Sequence, residues 1–205
     1  MLNTPKPMTK RLFPLLVLLI VSVLFIQADD PKMKKIFNGK NLKGWVEPEN
    51  NIWWSVEDGI LKVKSGPDQT GSILWTKKEY EDFVVQADFK MGEGTVDSGI
   101  FLRHDSQQIQ IGESGSLKRD MTGSPYIPGK SYPVEAEGVK ELLDMDDWNT
   151  MKIQAIGNEY TVWLNGQEVM NYTSDNASEE GPIGIQLHPK RDMSIEYRNI
   201  MAAEL

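Results

Sequence analysis

The sequence predicts an all-β domain of two packed antiparallel sheets, and three observations carry that expectation. Apolar and polar residues alternate with period two in many short runs from Lys35 onward. Asp58-Gly59 and Asn165-Gly166 each join two such runs, and these dipeptides accept the positive φ of tight hairpin turns. Helical periodicity is confined to a weak stretch over 136–143.

The N-terminal segment is set apart from the fold. Lys10 and Arg11 precede a predominantly apolar run from Leu12 to Ile26, followed by Ala28 and the acidic pair Asp29-Asp30. That order of charge, apolar stretch and small residue predicts a signal peptide over 1–28 and export to the periplasm or the extracellular space. An uncleaved N-terminal anchor is the alternative, although the run falls short of the roughly 20 residues of a spanning helix. A single domain over 29–205 follows, since a chain of 205 residues suffices for one substantial core.

The predicted strands begin with 53–56 and 60–64, a hairpin closed at Asp58-Gly59. Long strands follow at 82–91, 98–103 and 107–112. Next comes a meander of 151–156, 160–164 and 168–170, with 183–188 and 193–202 last. Roughly ten strands or more are better housed in two packed sheets than in one. The stretch 113–147 is rich in Gly, Pro, Ser and charge, and so long a loop in a compact domain is more often functional than idle.

Composition narrows the function. The chain has no cysteine, which removes disulfides and thiolate metal sites. Its net charge of −8 and dispersed basic residues disfavour a nucleic-acid partner. His104 and His188 have no further ligand at metal spacing on one element, so neither a metal nor a cofactor is expected. The sequons at Asn171 and Asn176 matter only in a eukaryotic secretory route. The six tryptophans read mainly as packing residues, with loop-borne Trp148 the exception, a candidate sugar platform.

Sorting each strand by its two faces gives a candidate site. Phe83, Val85, Ala87 and Phe89 form an apolar set, leaving Asp88 outward. The same rule sends Ser98, Ile100, Leu102, Ile109, Ile111, Ile183, Ile185 and Leu187 inward. Outward remain Asp97, Phe101, Arg103, Gln108, Gln110, Gln186 and His188. If these strands are neighbours in one sheet, its open face collects amides and charges for sugar hydroxyls and an aromatic for a pyranose ring. A solvated antiparallel sheet also has a polar face. Gln, His and Arg among glycines are nonetheless unusual choices for one, where Thr, Lys and Glu would be expected.

These residues resemble the 3-keto-disaccharide hydrolase family, also described as a 3-keto-glucoside 1,2-lyase and 3-keto-2-hydroxy-glucal hydratase domain. The resemblance opens at Ile36-Phe37-Asn38-Gly39-Lys40 and Leu42-Lys43-Gly44-Trp45 and continues through Trp54-Ser55-Val56-Glu57-Asp58-Gly59 and Tyr80-Glu81-Asp82-Phe83. It runs on through Ser98-Gly99-Ile100-Phe101-Leu102-Arg103, Gln108-Ile109-Gln110-Ile111, Leu164-Asn165-Gly166, Ile183-Gly184-Ile185-Gln186-Leu187-His188 and Tyr197-Arg198-Asn199-Ile200. Each motif is weak alone, and their order is specific.

The resemblance implies a concanavalin A-like jelly roll with the substrate on a concave sheet. It implies a glycoside already oxidised at C3 by a partner glycoside 3-oxidoreductase, cleaved by C2 proton abstraction, elimination and hydration. In that chemistry Asp88 is the expected base, His188 the acid or alternate base and Arg103 the enolate stabiliser. Asp97, Phe101, Gln108, Gln110, Glu113, Gln186 and Trp148 are the expected substrate contacts. The chain departs from the family pattern in carrying Gln108 where Glu is usual, Asp88 for Glu, Asp97 for Asn and Glu113 for Asp. An amide transfers no proton at ordinary pH, so a noncatalytic carbohydrate-binding sandwich or substrate-delivery subunit is the alternative. A conventional retaining glucanase is disfavoured, because the paired carboxylates about 5 Å apart that it needs are missing from any one strand.

Overall fold

A computed structural model describes residues 31–205. The expected signal peptide, 1–28, lies outside the described residues. The strands are β1 Lys34–Lys35, β2 Trp45–Val46, β3 Trp54–Glu57, β4 Ile60–Lys64, β5 Ser72–Tyr80, β6 Phe83–Gly94 and β7 Asp97–Leu102. They continue with β8 His104–Gly112, β9 Pro125–Tyr126, β10 Asn149–Ile156, β11 Glu159–Leu164, β12 Gln167–Thr173, β13 Gly181–Leu187 and β14 Met193–Glu204. One helical turn, α1 Val139–Leu142, stands where the weak helical pattern lay.

The strands form a jelly-roll sandwich of two antiparallel sheets, as expected. The larger runs β12-β11-β10-β6-β14-β4-β3, with β1 beside β14; the smaller runs β2-β5-β13-β7-β8-β9. Both expected hairpins form, and their turn residues Asp58, Gly59, Asn165 and Gly166 all have positive φ, the geometry of a type I′ turn. Unforeseen is the nine-residue β5, whose apolar start gives way to Lys77-Lys78-Glu79, so that no alternation marks its second half.

The core fills the space between the sheets. Phe83, Val85, Ala87 and Phe89 of the larger sheet meet Ile100, Leu102, Ile109, Ile111, Ile183, Ile185 and Leu187 of the smaller, all buried in one cluster. Polar ties cross it: the hydroxyls of Ser98 and Tyr197 lie 2.8 Å apart, with Ser98 also donating to the Gln186 carbonyl at 2.6 Å, and Tyr160 donates to Gln107 Oε1 at 3.2 Å. Such a bond satisfies groups whose burial would otherwise be costly.

Buried phenols make the fold sensitive to alkali. Burial pushes Tyr132 and Tyr160 up to about 12, and Tyr197 is raised as well. The unfolded chain releases these protons near pH 10, whereas the folded chain keeps them. Stability from this source is therefore complete below pH 10 and is lost as pH rises toward 12. Urea midpoints should be flat up to about pH 9 and fall beyond 10, less steeply in Tyr160→Phe. A profile unchanged in that variant would contradict the assignment.

Candidate functional site

The smaller sheet turns its polar face outward, and register decides which side chains meet there. Gln186 pairs with Gly99 and Gly99 with Gln110; one step along, Gly184 pairs with Phe101, Phe101 with Gln108 and Gln108 with Tyr126. Gly99 is required between the amides. A Cβ there would stand 2.2 Å from Gln108 Nε2, so glycine lets the Gln108 side chain lie across β7. From that position Gln108 Nε2 donates to Gln186 Oε1 at 2.8 Å and to the Ser98 carbonyl at 3.1 Å.

A charged cluster closes one end of this floor. Asp97, 2% exposed, accepts from Gln110 Nε2 at 2.9 Å and from Arg191 Nε at 3.2 Å. Arg191 Nη2 is buried and has no hydrogen-bond partner among the described residues; Glu113 Oε1 stands 3.7 Å away. His188 Nδ1 lies 3.7 Å from Asp97 Oδ2 and 2.7 Å from the Pro189 carbonyl. A carbonyl only accepts, so Nδ1 donates this bond and Nε2 is the ring nitrogen it leaves unengaged. The three side chains converge on the loop at Gly115. A Cβ there would lie 3.1 Å from Asp97 Oδ2, 3.4 Å from Arg191 Nη2 and 3.8 Å from His188 Cε1.

Asp97, Gln108, Gln110, Gln186, His188 and Arg191 line one cleft of about 380 Å³, together with Ser114, Ser116, Tyr126 and Tyr132 from the long loop. The two tyrosines pack with centroids 5.3 Å apart. Burial pushes the Tyr132 phenol up to about 12, so it holds its proton well beyond neutral pH. The stretch expected to be functional thus supplies a wall of the site.

The fold places four of the expected site residues outside this cleft. Asp88 has the expected outward parity, but β6 pairs with β10 and β14 in the other sheet, and Thr95-Val96 carry the chain across to β7. Asp88 there accepts from Asn199 Nδ2 at 2.7 Å and Thr150 Oγ1 at 2.8 Å, tying down the bulge in β14. Trp148 goes with it, its ring stacked 3.9 Å from the Arg198 guanidinium carbon. Arg103 lies between β7 and β8, just past a register shift, with φ +65°, which turns its side chain out of the strand's alternation and into the protein. It donates to the carbonyls of Glu81 and Ser178 at 2.6 and 3.1 Å, and further to those of Gly157 and Ala155. Phe101 is on the open face but 4% exposed, covered by Trp75 at a centroid distance of 5.6 Å.

Asp97, Gln108, Gln110, Gln186 and His188 do come together, with Glu113 at the margin. Arg191 was not foreseen, since it follows β13 across Pro189 and Lys190, where no strand pattern extends. Tyr126 and Tyr132 were equally unmarked. Among the described residues no group of three or more His, Cys, Asp or Glu is arranged to hold a metal, and His104 pairs instead with Asp105 at 2.7 Å.

Comparison with known proteins gives the context of this cleft. A crystal structure of a candidate glycosyl hydrolase from Parabacteroides distasonis ATCC 8503 shares 26% identity and a TM-score of 0.65, covering 85% of this chain and 100% of that one. A second from the same organism shares 18% identity at a TM-score of 0.65, covering 84% and 94%. The carbohydrate binding module CBM66 from Bacillus subtilis has the same fold at 16% identity and a TM-score of 0.56, covering 78% and 96%. No curated protein matches the chain. Residues 32–202 match the family described as the 3-keto-alpha-glucoside-1,2-lyase-like domain. The chain therefore belongs to that family, as a carbohydrate-active or carbohydrate-binding domain.

Proposed function

We propose that this domain binds a 3-keto-glucoside in the cleft and releases its aglycone by elimination across C1 and C2, with hydration completing the net hydrolysis. The observation that carries this reading is the convergence of Asp97, Arg191 and His188 at Gly115, at one end of the amide floor. The C3 ketone acidifies the C2 proton, which His188 Nε2 takes. The electron pair moves onto the ketone oxygen, where the positive charge of Arg191 stabilises the enolate. As the enolate collapses, the C1–O bond breaks and the leaving oxygen takes a proton from Tyr132. Water then adds at C1, its hydroxyl forming the new C–O bond and its proton restoring Tyr132, while His188 returns its proton to C2, giving 3-keto-glucose.

Asp97 holds Arg191 in place, and the three glutamines supply amides for the sugar hydroxyls. The substrate implies a separate oxidoreductase that oxidises the glycoside at C3. The N-terminal segment supports action after export, in the periplasm or outside the cell.

A second reading, binding without cleavage, is favoured by one observation: the floor is an amide network with Gln108 at its centre, where the family resemblance places Glu. One experiment separates the two. Purified protein is incubated with a 3-keto-glucoside and release of 3-keto-glucose is followed. The enzymatic reading expects turnover by the natural sequence and a loss of about 10²- to 10⁴-fold in His188→Gln, the usual contribution of a proton-transfer group. A natural protein that binds but does not cleave, beside an active Gln108→Glu, would establish the binding reading instead.

A further inference from the structure

Next to the cleft, the same face carries an apolar strip that the elimination chemistry leaves unused. Val46 pairs with Trp75 and Trp75 with Gly184, and because Trp45 and Thr76 are buried on the inner side, these alternate residues share the open face. Val46 is 48% exposed, and Ile73 and Trp75 are half-buried. Gly184 makes the arrangement possible. A Cβ there would stand 2.5 Å from the Trp75 ring and 3.0 Å from Ile73 Cγ2, so the indole covers β13 and rests on Phe101.

The strip is continuous with the cleft floor. Ile73 pairs with Gln186, while Gly184 pairs with Phe101 and Phe101 with Gln108. With strands about 4.8 Å apart and a rise of about 3.4 Å per residue, Trp75 lies about 8 Å from Gln186 and about 14 Å from His188. A group attached at C1 of a sugar held by the amides can therefore extend onto it.

We infer that Val46, Ile73 and Trp75 form the subsite for the aglycone, and that it selects an aromatic or other flat apolar leaving group. This inference deepens the elimination reading and rests on it for the sugar's placement. The face is divided by chemistry: amides and charges sit where hydroxyls need partners, and hydrocarbon with one indole where they would find few. A hydroxyl-covered second sugar over Val46 and Ile73 would give up hydrogen bonds to water without replacement, whereas an apolar ring buries its surface and stacks on Trp75.

The test compares benzyl and methyl 3-keto-glucosides, whose alcohols have matched acidity, so that leaving-group chemistry does not bias the result. The natural protein should prefer the benzyl compound by about tenfold in kcat/KM, the size of one good aromatic contact. Trp75→Ala and the surface variant Val46→Asp should both lose that preference while still turning over the methyl compound. Equal handling of the two substrates by the natural protein overturns the subsite and leaves the elimination intact. If neither is turned over, the elimination reading fails and calorimetry with benzyl and methyl glucoside decides the subsite. A tenfold preference lost in Val46→Asp upholds it, and equal affinities overturn it.

Discussion

Replacing Asp97 with alanine is expected to cost about 3–5 kcal/mol of stability, because it leaves one half of a buried ion pair behind. The Asp97 carboxylate is 3% exposed and the Arg191 side chain 14%, so water solvates little of either. With Asp97 gone, the guanidinium keeps only the more distant Glu113 at 3.7 Å, and Gln110 Nε2 loses its acceptor at 2.9 Å. Asp97→Asn keeps the shape and should cost less. Asp97→Ala combined with Arg191→Met should recover part of the loss, since removing both charges is cheaper than removing one. Denaturant midpoints measure all three, and a loss under about 1 kcal/mol for Asp97→Ala would show that the pair is no more than a solvated surface contact. Turnover should vanish in both single variants, as Arg191 would lose its anchor.

Arg103→Met should destabilise by about 3 kcal/mol or more while leaving turnover per folded molecule unchanged. Its side chain is fully buried, and it serves carbonyls of Glu81, Ala155, Gly157 and Ser178 as well as Asp82 Oδ1 at 3.3 Å. Each carbonyl left without a donor costs about 1–3 kcal/mol when water cannot reach it, and methionine fills the volume without replacing any bond. The combination of lost stability and kept activity distinguishes a residue that ties loops together from one that touches substrate. A variant that stays stable but loses activity would return Arg103 to the reaction.

The contrast between Arg103 and Arg191 shows where sequence reading stops. Counting alternate residues assigns Ile100, Leu102, Ile109 and Ile111 to the core and Gln108 and Gln110 to the open face without error, because a strand's side chains must alternate. The count fails at Arg103, where a bulge and φ +65° turn the chain, and it cannot reach Arg191, beyond the end of β13. Asp88 fails for another reason. Its face is right within its own strand, but strands adjacent in sequence need not be adjacent in a sheet, and β6 and β7 belong to different ones.

The all-β sandwich, its hairpins, most of the core and the amide floor of the cleft are legible in the order of residues along the chain. These rest on local rules, the period of a strand and the φ preferences of turn residues. Which carboxylate meets which cation is set by the packing of the folded chain. Asp97, His188 and Arg191 meet across β7, β13 and the loop that follows, brought together by strand order and by where each strand ends, neither of which a run of alternating residues records.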